Sequence, residues 1–218
     1  MSDTFDQLVP DATAFFTDLK ANNSRDWFQE NKARYDGLIK KPATLLTEVI
    51  GSDLAKITGV PMSSKLFRVN RDVRFSKDKS PYNNHLHMIW VPEGHKQGEV
   101  SGYFLGIAPD YVITGAGRMG FEKAALDTYR TAVAGPDGAG LASALAKVTA
   151  QGARLDDPHL KRVPAAFDKD HPRGDLLRRR GLVIWFDAAA EARTTGLVTA
   201  ALNSFEIAQP VARWLDSI

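Results

Sequence analysis

Apolar positions recur three or four residues apart through the first sixty residues of the chain. Phe15, Phe16 and Leu19 form one such set, and Leu45, Leu46, Val49 and Ile50 another. That period lays each set along a single helical stripe. Asp11 suits the start of the first helix, which should end at Asn22-Asn23. Ser24 suits the N-cap of a second helix, with Asp26 in its first turn and Trp27, Tyr35 and Leu38 near one stripe. Pro42 fits the first turn of a third, and Gly59-Val60-Pro61 closes this helical part, residues 10–60.

Between residues 64 and 115 the period drops to two. Leu66–Phe75, Asn84–Val91 and Gly102–Ala108 alternate, and Tyr111–Thr114 follows a Pro109-Asp110 turn. Short alternating runs punctuated by Gly and Pro predict antiparallel strands, with 92–98 as a hairpin loop. From 121 to 218 the pattern is mainly helical again, at 121–133, 139–150, 173–180 and 188–208, with Pro210 as a break. One apolar run, Leu182–Phe186, reads as a buried strand, and 151–172 reads as irregular. Helices, then strands, then helices, without a βαβ rhythm, predict a single α+β domain over 1–218 with a mainly antiparallel sheet packed against helices.

Composition narrows the function classes. At 218 residues, 44% apolar and 25% charged, the chain is long enough for a real core and too apolar to be disordered. It has no cysteine, which excludes disulfides, thiolate metal sites and a cysteine nucleophile. The first residues are acidic where a signal peptide needs a basic start, and no apolar run is long enough to span a membrane. A soluble, cytoplasmic protein without a membrane partner is expected.

Charge is not evenly spread. Residues 65–79 carry six bases (65, 68, 71, 74, 77, 79) against two acids (72 and 78), while the whole chain is only +2. As one strand over 66–76, this segment would place Phe67, Val69, Val73 and Phe75 on one face with Arg71 among them. Arg68, Asn70, Asp72, Arg74 and Ser76 would lie on the other. Asp72 can then pair with Arg68 or Arg74, which is a self-paired polar face. Arg71 does not fit that face: it needs a buried acid, a ligand or a break in the strand. Ser76–Pro81 supplies turn formers, and planar guanidinium groups suit phosphate or carboxylate. The candidate ligand-binding residues are therefore Arg68, Arg71, Asp72, Arg74, Lys77 and Lys79, with Tyr82 at the margin. The expected ligand is small and anionic or phosphorylated. Nucleic acid is disfavoured by the near-neutral net charge.

The run Arg68-x-x-Arg71-Asp72-x-Arg74-Phe75-Ser76-Lys77-Asp78-Lys79-x-Pro81-Tyr82 resembles the signature of a family of bacterial and fungal proteins known only as a domain of unknown function. Asn22–Phe28, Gly115-Ala116-Gly117 and Phe167–Pro172 resemble it too, so the similarity covers about 15 to 215. Asn83 departs from it, because such proteins often carry a base there. The resemblance implies a compact α+β domain and brings no activity, cofactor or catalytic residue.

Three further patterns carry chemistry. Gly115-x-Gly117-x-x-Gly120 matches a dinucleotide fingerprint, but the strand before it belongs to a Pro-Asp hairpin and Gly140, not an acid, stands 20 residues past Gly120, so glycines for a bulge and a helix start are expected instead. His85-x-His87 places two imidazoles on one strand face, short of a metal site without a third ligand, and no metal is assigned. Asp168, Asp170 and His171 could serve acid–base chemistry, or simply turns and a helix cap. Residues 161–180 carry seven bases against three acids, and could join the 65–79 segment in one basic surface. Two rivals to ligand binding follow. One is an enzyme on phosphoesters or nucleotides using Asp72, Asp168, Asp170 or His171; the other is a protein-interaction module with a structural ion-pair network.

Overall fold

The computed structural model describes residues 5–218. Its fold is α+β. Six strands form one antiparallel sheet: β1 Met62–Leu66, β2 Leu86–Pro92, β3 Gly102–Ala108, β4 Tyr111–Arg118, β5 Arg154–Leu155 and β6 Leu182–Asp187, in the order β1-β2-β3-β4-β6-β5. The helices are α1 Leu8–Ala21, α2 Arg25–Glu30, α3 Lys32–Tyr35, α4 Lys41–Thr58, α5 Lys123–Ala134, α6 Gly138–Ala150, α7 Gly174–Leu177, α8 Ala189–Thr195 and α9 Leu197–Asp216. A π-helical turn, Asp36–Lys40, joins α3 to α4.

Alternation along the strands sends Leu86, Met88 and Trp90 of β2, and Tyr103, Leu105 and Ile107 of β3, into the core. Helices α1, α4 and α9 pack over this face. Phe205 of α9 meets Trp90 and Tyr103 edge-on at 6.0 and 5.3 Å. The one polar atom of buried Trp90 donates to Thr47 O at 2.8 Å, so the ring carries no unsatisfied group into the core. Burial of Tyr103 pushes its hydroxyl up to about 12, and Gln209 donates to it at 2.6 Å. No helix among the described residues is long and apolar enough to cross a membrane.

Several expectations hold. Ser24 caps α2 by accepting from the Trp27 amide, Pro42 lies in the first turn of α4, and Gly59 ends that helix in the left-handed conformation. Others need correction. The buried stripe of α4 is Ala43, Leu46, Thr47, Ile50 and Leu54, leaving Leu45 and Val49 exposed. The final helical stretch breaks at Gly196, not at Pro210, which α9 accommodates internally. The largest correction concerns 66–76. Strand β1 stops at Leu66, and Asn70 makes only an isolated bridge to Tyr82. The alternation there was real but does not mark a strand: Val69 is buried, whereas Phe75, on the same expected face, is 97% exposed.

Gly117 explains the glycine motif. Its φ of 135° is closed to side-chain-bearing residues, and a Cβ there would sit 2.2 Å from Leu182 O across the β4–β6 pair. Arg118 is buried, donates to Gly98 O at 3.1 Å and lies over the Phe121 ring, so it is not poised to hold an anion.

Phe205→Ala should lower unfolding free energy by about 3–5 kcal/mol, measured by urea denaturation, because it opens a cavity between α9 and the two aromatic strands.

Candidate functional site

The basic segment is a loop closed by a short neck. Asn83 donates its amide to Val69 O at 2.7 Å, and Arg71 donates its amide to Pro81 O at 2.9 Å, on either side of the Asn70–Tyr82 bridge. On the outer side of Tyr82 the side chain of Asn23 acts as a third strand. Its Oδ1 accepts the Tyr82 amide at 3.1 Å, and its Nδ2 donates to Tyr82 O at 2.9 Å and to Asn84 Oδ1 at 3.0 Å. The Tyr82 ring is buried and stacks on Phe28 at 4.1 Å. Tyr82 is thus a core anchor for the loop, not a residue at the margin of a binding surface. Phe28 likewise belongs to the core cluster, and half-buried Trp27 packs against it.

Within the loop two of the three arginines are spent on the loop's own acids. Arg74 makes a forked pair with Asp72, Nε to Oδ1 at 2.9 Å and a second nitrogen to Oδ2 at 2.6 Å. That fork holds the Asp72 carboxyl below its usual range, with Arg68 adding to the effect from nearby. Arg71 meets Asp78 at 2.5 Å, and Asp78 also accepts from the Ser80 hydroxyl and amide at 2.7 and 2.9 Å. Those donors, Ser80 first, push the Asp78 carboxyl far down. The acid that Arg71 required is therefore seven residues on, in the same loop, and it is exposed. Lys79 donates to Val73 O at 3.0 Å. Arg68 and Lys77 make no ion pair among the described residues. Phe75 stands clear at the tip, with Arg74 5.9 Å from its ring centre.

The chain leaves the neck through the histidine pair, at the start of β2. His85 and His87 stack at 3.6 Å, and His87 Nε2 shares a 2.7 Å hydrogen bond with the Tyr111 hydroxyl. Phe104 meets His87 edge-on at 4.9 Å and Trp185 at 5.6 Å. Burial, then the neighbouring imidazole, brings His87 down to about 3; burial, then the Arg71 cation, lowers His85. Both rings are therefore neutral near pH 7. The face-to-face stack also aligns the rings with each other and not toward a common centre. No group of three or more His, Asp or Glu side chains among the described residues could hold a metal.

The acids of the far segment do not join this loop. Residues 156–180 run between β5 and β6, whereas the loop follows β1, and five strand spacings, roughly 24 Å, separate those edges. The expected single basic surface therefore does not form. Asp168 accepts the Asp170 amide at 2.9 Å in a turn, and Asp170 caps no helix. His171 Nδ1 accepts the Arg173 amide at 3.0 Å, leaving Nε2 to donate toward Ala134 O at 3.4 Å, so both ring nitrogens are spent on backbone. Helix α7 ends at Leu177, so Arg178–Arg180 lie beyond it and do not complement a last turn.

A family profile described as "Conserved hypothetical protein (DUF2461)" matches residues 11–214. The chain belongs to this family. No curated protein matches the sequence. The matched region takes in the neck, the loop and the histidine pair together. Asn23, Phe75 and Asp78 are residues of the site that the candidate set from the sequence did not include. A long-range side-chain clamp has no local signature, and an exposed phenylalanine is indistinguishable from a buried one in an alternating run.

Asn23→Ala should cost about 1–3 kcal/mol, because it strips the buried Tyr82 peptide of its partners. Amide hydrogen exchange should accelerate at Asn83 and Arg71 while the sheet amides stay protected. A second expectation concerns acid. His87 is lowered in the folded chain, so only the unfolded chain gains that proton below about pH 6.5, and stability should fall as pH drops from there toward about 3. His87→Phe should flatten that part of the pH–stability curve.

Proposed function

We propose that this protein binds an anionic or phosphorylated ligand through the loop at residues 67–83, within a single α+β domain spanning the chain. The observation that carries this reading is the positive charge that the loop's own carboxylates do not neutralise. Arg68, Lys77 and Lys79 have no carboxylate partner among the described residues, and they share a loop with a phenylalanine that is 97% exposed. Leaving Phe75 in water forgoes the roughly 1.5–3 kcal/mol that covering a large apolar side chain supplies. A ligand with an anionic part for the cations and a flat or apolar part for the ring, a nucleotide for example, satisfies both.

Roles within the loop then divide. Arg68, Lys77 and Lys79 meet the ligand's charge. Arg71, Asp72, Arg74 and Asp78 hold the loop's shape, and Tyr82 anchors it. Forked Arg–carboxylate pairs fix geometry well even where their net contribution to stability is small. The phosphoester-enzyme reading loses its constellation, since Asp72 is committed to Arg74 and lies at the opposite sheet edge from Asp168, Asp170 and His171. The interaction-module reading draws on the same exposed Phe75, with a protein surface as the covering group.

Titration calorimetry with inorganic pyrophosphate and with AMP tests the proposal. Arg68→Glu/Lys77→Glu should weaken both by at least about tenfold, or 1.4 kcal/mol, with the melting temperature unchanged because neither side chain is paired. Phe75→Ala should weaken AMP alone. Absence of binding by either probe, or binding indifferent to the double reversal, would exclude a ligand site in this loop. Arg71→Ala is the poorer test, because it also strips Asp78 of its guanidinium partner.

A further inference from the structure

The second basic segment builds a cavity of its own. Residues 161–178 and one flank of α6 line an open, groove-like cavity of about 860 Å³. Five cations line it, Lys161, Arg162, Lys169, Arg173 and Arg178, against two carboxylates, Asp170 and Asp175. Ala142, Leu145 and Val163 supply an apolar side.

The frame of this cavity is fixed by bonds that leave part of its charge unused. Arg173 is a strut: Nε donates to Val133 O at 2.6 Å, and one terminal nitrogen donates to Ala134 O and Gly135 O at 3.2 and 2.9 Å. It thereby ties the wall to the carboxyl end of α5, where free carbonyls favour a cation. Arg178 pairs with Asp175, and the Leu160 amide donates to Arg178 O at 3.0 Å. His171 is held by the backbone at both ring nitrogens. Gly174 lets Val163 close in, since a Cβ there would already lie 3.2 Å from the valine methyl.

Three cations are left over. Lys161 and Arg162 make no side-chain hydrogen bond or ion pair among the described residues. Lys169 touches Asp170 only at 3.8 Å, with both side chains at least 80% exposed, a contact of little energetic weight. A rigid frame with three uncommitted positive groups at its rim and an apolar side is the arrangement by which pockets orient an anion with a hydrophobic body.

We propose that this cavity is an anion site separate from the loop at 67–83, and that it takes a phosphate monoester carrying an apolar group. Lys161, Arg162 and Lys169 meet the phosphate, and the ester's body lies along Ala142, Leu145 and Val163. A dianion suits three cations lining one cavity better than a single carboxylate does, because its three terminal oxygens can each accept from a different side chain. The proposal is independent of the loop's function, since the two sites lie at opposite edges of the sheet.

Phenyl phosphate is the probe, followed by amide NMR shifts and titration calorimetry. Shifts should map to 161–178 and to Ala142, and phenyl phosphate should bind several-fold tighter than inorganic phosphate. Lys161→Glu/Arg162→Glu should weaken it at least tenfold and keep the wild-type melting temperature. Arg68→Glu/Lys77→Glu should leave the shifts at 161–178 in place. The proposal is overturned if saturating phenyl phosphate leaves the 161–178 amides unmoved. It is equally overturned if the cavity reversal leaves affinity unchanged, or if the loop reversal alone removes the shifts at 161–178.

Discussion

One side-chain amide governs the presentation of the basic loop. Tyr82 has a buried peptide whose amide and carbonyl face away from the Val69–Arg71 strand, and Asn23 satisfies both at once. Without that bracket a buried backbone pair would stand unpaired, at a cost comparable to a large fraction of a domain's net stability. With it, the neck between Val69 and Asn83 closes, Tyr82 stacks on Phe28, and the residues from Asp72 to Ser80 project as a closed loop. Helix α2 and the loop are therefore mechanically one unit, although about sixty residues of chain lie between them.

The ion pairs of the loop follow from that closure. Once the neck fixes Arg71 and Pro81 opposite each other, Asp78 is brought back to Arg71, and Ser80 turns the chain by donating twice to the same carboxylate. Asp72 and Arg74, two residues apart, pair locally. Dense positive charge in a near-neutral chain thus has two explanations at once. Part of it neutralises the loop's own acids, and the remainder has no carboxylate partner among the described residues. The second basic segment divides in the same way, with Arg173 and Arg178 serving the frame while Lys161 and Arg162 serve nothing within it.

The sheet separates these two regions. Its antiparallel order puts β1 at one edge and β5 at the other, so segments with similar composition end far apart. Between them runs a row of rings, His85, His87, Phe104 and Trp185, that lie close over small residues. A Cβ at Gly115 would fall 2.5 Å from the Trp185 ring, and one at Gly106 would fall 2.9 Å from Phe104. The Arg71 cation, after burial, adds to the lowering of His85 at one end of this row.

Short-range physics is legible in the order of residues. The Ser24 cap, the Pro42 helix start, the β2–β3 and β3–β4 strands and the apolar run of β6 each follow from hydrogen-bonding capacity or period within a few positions. The α+β class follows from their succession. What periodicity could not decide was whether an alternating run pairs: Phe67–Phe75 alternates as well as β2 does, yet it pairs only at Phe67 and across the short neck at Val69–Arg71, and Asp72–Phe75 have no partner strand. Pairing, like the Asn23 clamp, the return of Asp78 to Arg71 and the separation of the two basic segments, depends on which distant residues come to lie alongside. That is set by long-range packing against the core, and it leaves no periodic trace in the chain itself.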